Sequence, residues 1–303
     1  MSDQAAWPRQ RDASVVRPYL GLALGVLAAS TAAIWIRLAD APPLVTGAYR
    51  LGLASLILTP FAFTVGRQDL QRLKRRDCSL AAVSGFFLGL HFATWITSLD
   101  YTSVASSVVL VSTNPLFVGL VSHFFLGERV GRAMWLGIAI SVIGGAVIGL
   151  GDFDISWRAL LGDFLALMGA LAGSAYFLLG RRLRSRLSLL TYIFPTYWTA
   201  ALVLLAAAGI AGDALRGYSG QTYGMFLLLA LVPQLMGHSM LNWSLRHLSP
   251  ALVAVSLLGE PILSTLLACL ILSETPSLLE LGGGVLILAG IYIALQGERA
   301  IGG

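Results

Sequence analysis

The sequence predicts an all-α integral membrane protein in which ten transmembrane helices form two inverted five-helix repeats. Three observations lead to this prediction: the composition, the length of the apolar segments and an internal repeat. Of the 303 residues, 57% are hydrophobic and only 12% are charged. About a quarter of the residues in a typical soluble domain are charged. Much of the outer surface of this chain is therefore expected to face lipid.

Each apolar segment is long enough to cross the hydrocarbon core of a bilayer as a helix, which takes about 20 residues. The segments are continuously apolar, whereas the strands of a membrane barrel alternate over about 10 residues. Helices are expected because backbone polar groups inside lipid must bond within their own segment. The ten predicted segments are residues 18–38, 43–65, 79–99, 102–125, 131–150, 157–180, 188–210, 221–244, 249–272 and 277–296.

The basic residues predict the orientation in the membrane. With the N-terminus in the cytoplasm, sixteen of the 20 Lys and Arg residues lie on the cytoplasmic side, three lie outside and Arg50 lies within the second segment. This bias predicts cytoplasmic tails at residues 1–17 and 297–303. Short loops without an organellar targeting pattern favour a bacterial inner membrane. Because the net charge of +5 is accounted for by topology, nucleic acid is not an expected partner.

An internal repeat relates the two halves of the chain. Residues 99–144 align without a gap with residues 245–290, so that Asn114 and Pro115 match Glu260 and Pro261. The predicted repeats comprise residues 18–150 and 157–296, and five is an odd number of spans. The second repeat must therefore cross the membrane in the opposite direction. Inverted repeats are typical of alternating-access transporters, which bind substrate near the midplane between the copies.

The motifs of both copies resemble those of the drug/metabolite transporter superfamily, in its EamA-type branch. The resemblance rests on residues 114–117 and 125–128 in the first copy, and on residues 258–261, 272–274 and 283–290 in the second. It implies a cavity lined mainly by the first, third, fourth, sixth, eighth and ninth spans. It also implies export of metabolites, and the chain looks most like bacterial exporters of aromatic and other neutral amino acids.

Two stripes of polar and aromatic residues are candidates for lining this cavity. His91 and Trp95 lie four residues apart in the third span, and Gln234, His238 and Asn242 follow at intervals of four in the eighth. Such spacing puts each set on one helical face. An alternative is that these residues join helices by interhelical hydrogen bonds, each worth about 0.6 to 2 kcal/mol.

The fourth span adds a face of small residues. Ser107, Val111 and Asn114 precede Pro115, and a half-helix that ends beside a proline can present backbone dipoles to a substrate. Aromatic residues deep in the membrane suit an amphipathic substrate. The remaining candidates for substrate binding are Trp35, Tyr176 and Ser256.

Glu260 is predicted to lie near the middle of the ninth span, directly before Pro261. A charged side chain inside a membrane usually faces a cavity or a partner, and a proline opens backbone groups by bending its helix. Glu260, Pro115 and Pro261 are therefore candidates for coupling or gating, with Glu260 as a possible proton carrier. The alternative is a structural glutamate that bonds the freed backbone groups.

Arg50 lies about a third of the way into the second span from the outer surface. Its long side chain could extend to the interface, or its charge could bind a substrate carboxylate. A sugar phosphate or nucleotide would require several basic residues inside the membrane. Arg50 is the only one, so these substrate classes are not expected.

The leading hypothesis is an alternating-access exporter of small zwitterionic metabolites, above all amino acids. A second hypothesis is an exporter of cationic or amphipathic drugs with Glu260 as the counter-ion. An enzyme is not expected, because the four histidines are scattered and no H-E-x-x-H pattern occurs. No metal site and no cofactor are predicted. The expected partners are a small molecule and membrane lipid, with monomer and homodimer both left open.

Overall fold

A computed structural model describes residues 11–98, 100–102, 107, 110–111, 113–125, 127, 130–149, 156–272 and 278–302, and within these ranges it contains helices and no strands. The helices are α1 (Arg11–Ser30), α2 (Ala32–Leu38), α3 (Pro43–Phe63), α4 (Arg67–Gln71), α5 (Arg75–Ser98), α6 (Asn114–Phe124), α7 (Arg132–Gly149), α8 (Trp157–Arg184), α9 (Leu189–Ala211), α10 (Gly220–Leu229), α11 (Ser239–Ser244), α12 (Pro250–Leu257), α13 (Gly259–Leu272) and α14 (Leu278–Gly302). A π-helix, Ala230–His238, joins α10 to α11.

Seven helical stretches in the described part of the chain are long and apolar enough to cross a membrane. They are Val16–Ile36, Pro43–Phe63, Arg75–Ser98, Trp157–Arg184, Leu189–Ala211, Gly220–Ser244 and Leu281–Glu298. Shorter apolar helices lie at Arg132–Val147 and Pro250–Leu263. The prediction of an all-helical, multi-pass membrane protein is thereby confirmed. The count of ten stays a prediction, because the fourth segment lies partly outside the described residues and the fifth and ninth contain only the shorter apolar helices.

Several helices extend past the predicted apolar segments. Helix α8 continues through the basic residues to Arg184, and α5 begins at Arg75 rather than at residue 79. A helix keeps its backbone bonds beyond the membrane surface, so hydropathy does not mark its end. Serine side chains cap four helices by accepting a hydrogen bond from the amide three residues later. These N-caps are Ser156, Ser188, Ser219 and Ser249.

Helices α7 and α14 cross each other at glycines. A Cβ added at Gly137 would lie 2.5 Å from the carbonyl oxygen of Gly290, and one at Gly144 would lie 2.7 Å from the carbonyl oxygen of Gly283. The residue numbers rise in one helix as they fall in the other, so the two helices are antiparallel. Their glycines, which could have served association of two chains, allow close packing within this one chain.

The same crossing has the symmetry of an inverted repeat. Ser141 Oγ donates a hydrogen bond of 3.3 Å to the carbonyl oxygen of Ile287, and these residues are 146 positions apart. That separation is the offset of the aligned repeats, so each residue of the pair contacts its own counterpart. Because counterpart helices pack antiparallel about this point, a twofold axis perpendicular to them relates the two helices.

Several of the predicted spans are interrupted within the described residues, among them the fourth, which breaks at Thr113 before α6. The first breaks at Thr31 between α1 and α2, and the ninth breaks at Leu258 between α12 and α13. The eighth contains the π-helix, which includes Pro233. Short π-helical segments are rare and frequent at functional sites. These breaks mark the segments in which a site is to be sought.

Pro115 and Pro261 both lie in the first turn of a helix, α6 and α13 respectively. Proline is well tolerated there because its missing N–H would have no partner within the helix. The matched Asn–Pro and Glu–Pro pairs of the two repeats therefore each begin a half-helix.

Candidate functional site

Arg50 points into the protein from α3. Its side chain is buried, with only 4% of the residue exposed. Nε donates a hydrogen bond of 2.8 Å to Oε1 of Gln234, and the guanidinium lies 4.6 Å from the centroid of the Phe92 ring. The interpretation that Arg50 extends to the membrane interface is therefore wrong. The face of α3 that carries Arg50 packs against α5 and the π-helix, which supply the ring and the acceptor.

The eighth span brings its predicted stripe to the same place. Gln234 and Asn242 are fully buried. Asn242 Nδ2 donates to the hydroxyl oxygen of Tyr176, at 2.5 Å, and to the carbonyl oxygen of His238, at 2.7 Å. The ring of His238 lies 6.3 Å from that of Tyr176. The polar stripe of the eighth span thus faces α8.

The stripe of the third span contacts the stripe of the eighth span through aromatic rings. His91 Nδ1 lies 2.8 Å from the carbonyl oxygen of Gly169, and because a carbonyl only accepts, Nδ1 carries the proton and donates. The His91 ring stacks on Trp95 at a centroid distance of 6.0 Å. Phe92 lies 5.1 Å from His91 and 5.7 Å from His238. One phenylalanine thereby separates the two predicted histidines.

Asn114 approaches His91 across a glycine of α8. Its Nδ2 donates to the carbonyl oxygen of Ala170, at 3.0 Å, and to Ser174 Oγ, at 2.9 Å. A Cβ added at Gly173 would lie 2.9 Å from His91 Nδ1 and 3.1 Å from Asn114 Nδ2. The absence of a side chain at Gly173 is what leaves room for both groups.

We call the residues brought together here the central cluster. Its members are Arg50, His91, Phe92, Trp95, Asn114, Tyr176, Gln234, His238 and Asn242.

Four predicted binding residues lie beside the central cluster rather than in it. Ser107 Oγ is 2.6 Å from Ser98 Oγ, at the end of α5. Trp35 and Val111 are half-buried, and Ser256 is buried. In the described part of the chain, no hydrogen bond or ring contact joins these last three to the central cluster.

Glu260 lies in the first turn of α13 and is half-buried. No described residue forms an ion pair with its carboxylate or donates a hydrogen bond to it. Arg50 is the charged group that interacts with it electrostatically. Arg50 and Glu260 thus interact electrostatically without a direct contact.

Several polar atoms in the interior have no hydrogen-bond partner among the described residues. Buried polar groups are nearly always paired in folded proteins, so these atoms mark a candidate binding site. They include donors, on tryptophan and glutamine, and acceptors, on asparagine. The atoms on predicted site residues are Trp35 Nε1, Trp95 Nε1, Asn114 Oδ1, Gln234 Nε2, His238 Nδ1 and Asn242 Oδ1.

Sequence reasoning missed Phe92 and Tyr197. Phe92 lies one residue off the polar face of α5, so a search for polar spacing passes over it. Tyr197 is fully buried in the middle of α9, and its hydroxyl lies 3.3 Å from Ser239 Oγ. Its depth within a 23-residue helix was a usable signal, because membrane tyrosines usually lie at the interfaces.

Two cavities lie away from the central cluster. One, of about 210 Å³, is lined by polar residues that include Asp77 and Arg186, which form an ion pair of 2.8 Å. The other, of about 400 Å³, is an apolar groove between α3, α9 and the eighth span. Neither is lined by the predicted site residues that carry unpartnered atoms, so the candidate site is the central cluster. Within the described ranges, no three His, Cys, Asp or Glu side chains gather as a metal site.

Comparison with known proteins gives matches along nearly the whole chain. The sequence pattern of the EamA-like transporter family matches residues 17–150 and 160–296. The pseudopaline exporter CntI of Pseudomonas aeruginosa is 27% identical over 270 residues, which cover 88% of this chain and 93% of that exporter. A probable terminal-alkyne amino-acid exporter of Streptantibioticus cattleyicolor is 26% identical over 250 residues, or 80% of this chain and 81% of that protein.

Further similarity extends to a transporter without an assigned substrate and to a solved structure. The uncharacterized transporter YdfC of Bacillus subtilis is 28% identical over 247 residues, 80% of this chain and 78% of that transporter. A crystal structure superposes with a TM-score of 0.78 at 21% identity, covering 94% of this chain and 99% of its own. At that identity the superposition shows a shared fold.

Proposed function

Because the chain belongs to the EamA-like transporter family, we propose that it exports small zwitterionic metabolites by alternating access. The substrates are aromatic and other neutral amino acids above all. The protein lies in a bacterial inner membrane with both tails in the cytoplasm. The two repeats, residues 18–150 and 157–296, move against each other around a substrate held at the central cluster.

The observation that carries this proposal is the set of unpartnered polar atoms among aromatic rings. Trp95, Gln234 and Asn242 supply donors and acceptors without partners, while Phe92 and Tyr176 supply apolar surface. An amino acid with an apolar side chain combines these same two requirements. The relatives support the choice, because one is named as an exporter of an amino acid and another as an exporter of pseudopaline.

The half-helices give the movement a physical basis. Helices α6 and α13 begin with Asn114–Pro115 and Glu260–Pro261, at matched positions of the two repeats. A helix start that packs loosely on the preceding segment can change direction at lower cost than the interior of a long helix. We assign Pro115 and Pro261 to gating and Glu260 to coupling.

The test is counterflow in proteoliposomes with a panel of labelled amino acids. Saturable exchange of phenylalanine or another neutral amino acid is the expected result. If Glu260 carries a proton, Glu260→Gln should flatten the pH dependence of exchange, because glutamine does not titrate in this range. Exchange of no amino acid would contradict the proposed substrate class, and an unchanged pH profile in Glu260→Gln would contradict coupling through this residue.

A second candidate function follows from the isolated carboxylate. Glu260 lacks an ion-pair partner among the described residues, so it could serve as counter-ion for a cationic or amphipathic drug. In that case a cationic dye, tested in parallel in the same proteoliposomes, would move while amino acids do not. Cells that carry Glu260→Ala would then lose the drug resistance conferred by the wild-type protein.

A further inference from the structure

We propose that Arg50, oriented by Gln234, binds the carboxylate of the transported molecule. The inference rests on the proposed function and deepens it, because it names the chemical group that a substrate must carry. Substrates would be carboxylates with a neighbouring apolar or aromatic part, and in a zwitterion Glu260 would balance the ammonium group.

The guanidinium of Arg50 has more donors than its described partners accept. Arginine has five N–H donors, and the one on Nε bonds to Gln234 Oε1. The two terminal nitrogens of Arg50 donate no hydrogen bond to a described residue. A cation inside a protein is stabilised when an anion accepts from its remaining donors. A carboxylate is the anion that fits the two parallel N–H bonds of a guanidinium edge.

Two neighbours fix the position of the guanidinium. Cζ of Arg50 lies over the Phe92 ring, 4.6 Å from its centroid, and Nε is held by the bond to Gln234. The edge formed by the terminal nitrogens is therefore the part of the guanidinium that remains for a ligand. Arginine keeps its charge in such a place and has a rigid planar fork, which lysine lacks.

The amide of Gln234 offers a further donor beside Arg50. Its Oε1 accepts from Arg50, and its Nε2 is buried without a partner. The amide thus adds an unpartnered donor next to the guanidinium. A carboxylate bound there could accept from both residues, which would satisfy the two sets of donors at once.

Glu260 contributes to the electrostatic environment of Arg50, yet no ion pair joins the two residues. Had Arg50 served only to neutralise Glu260, a direct contact would be the expected arrangement. Because the two side chains are not paired with each other, Arg50 can bind the negative end of a zwitterion and Glu260 can bind the positive end.

The experiment compares phenylalanine with an analogue that lacks the carboxylate and with an analogue that lacks the ammonium group. Full-length protein in proteoliposomes exchanges labelled phenylalanine in competition with unlabelled phenylalanine, phenylalaninamide or phenylacetate. Wild-type protein should prefer phenylalanine over the amide by about tenfold or more, since a site built to bond a group rejects the analogue that lacks it. Arg50→Lys should raise the KM for phenylalanine by about tenfold or more and leave the weak inhibition by the amide unchanged.

A binding measurement separates this proposal from the proposed function. Phenylacetate should raise the melting temperature of the wild-type protein in detergent, and should not raise that of Arg50→Lys. A shift with phenylacetate but no amino-acid exchange would keep the carboxylate anchor and overturn amino-acid export. Exchange of amino acids with equal affinity for phenylalaninamide would overturn the anchor and keep export.

A purely structural role for Arg50 has its own signature. If Arg50 only joins α3 to the eighth span, Arg50→Lys should weaken phenylalanine and the amide to the same extent, which would overturn the proposal. If the variants do not fold, the ligand series on wild-type protein decides alone. Equal inhibition by phenylalanine and its amide, together with no shift from phenylacetate, would then refute the carboxylate anchor.

Discussion

Replacement of Gly290 by alanine is expected to lower the free energy of unfolding by about 3 kcal/mol, at the upper end of the usual cost of overpacking. The new Cβ would lie 2.2 Å from Ser141 Oγ, 2.6 Å from the carbonyl oxygen of Gly137 and 2.7 Å from the backbone nitrogen of Ser141. Two of these three atoms belong to the backbone, so rotation of a side chain cannot relieve the clash. Helices α7 and α14 would have to separate.

Thermal unfolding in detergent, followed by tryptophan fluorescence, measures this effect. Gly282 lies in the same helix, and a Cβ there would meet nothing within 4 Å. Gly282→Ala is therefore the matched control, which should be neutral or slightly stabilising because alanine favours a helix. Equal melting temperatures for Gly290→Ala and the wild type would show that the two helices do not pack as described.

Replacement of Gly173 by alanine is expected to reduce exchange by about tenfold or more without unfolding the protein, since small displacements of binding groups have large effects. The added Cβ would press on His91 Nδ1 at 2.9 Å and on Asn114 Nδ2 at 3.1 Å. Both contacts are to the ends of side chains, which can move at modest cost to stability. That movement would displace two groups of the central cluster.

Counterflow of the labelled substrate, with the melting temperature as a measure of folding, tests this expectation. Gly52→Ala supplies the control, because Gly52 lies in α3 near Arg50 and a Cβ there meets nothing within 4 Å. Wild-type exchange by Gly173→Ala, with the fold intact, would argue that His91 and Asn114 do not hold the substrate.

The helical class and the membrane environment could be predicted from composition and periodicity, because both depend on local properties of the chain. The stripe Gln234, His238 and Asn242 was visible for the same reason. Gln234 and His238 lie in the π-helix, and Asn242 follows it. Asn242 still lies next to His238 because it bonds back to the carbonyl oxygen of that residue. Local spacing was sufficient to find these residues.

The side of a helix that faces the interior depends on its neighbours, and hydropathy does not contain that information. Arg50 illustrates this limit. Its depth in α3 was known, but its direction followed only from the positions of Phe92 and Gln234. In the same way, the pairing of Asn114 with Ser174 joins residues 60 positions apart. No pattern within either segment predicts that contact.

The contact between Ser141 and Ile287 has a mechanical consequence. The twofold axis relates the two repeats, and a point on the axis is its own image. If the two repeats exchange conformations during transport, that point therefore stays in place. In the proposed cycle the crossing of α7 and α14 would act as a fulcrum, and the displacement of each residue would grow with its distance from it. In that cycle the glycine crossing of α7 and α14 would stay in place while the central cluster moves.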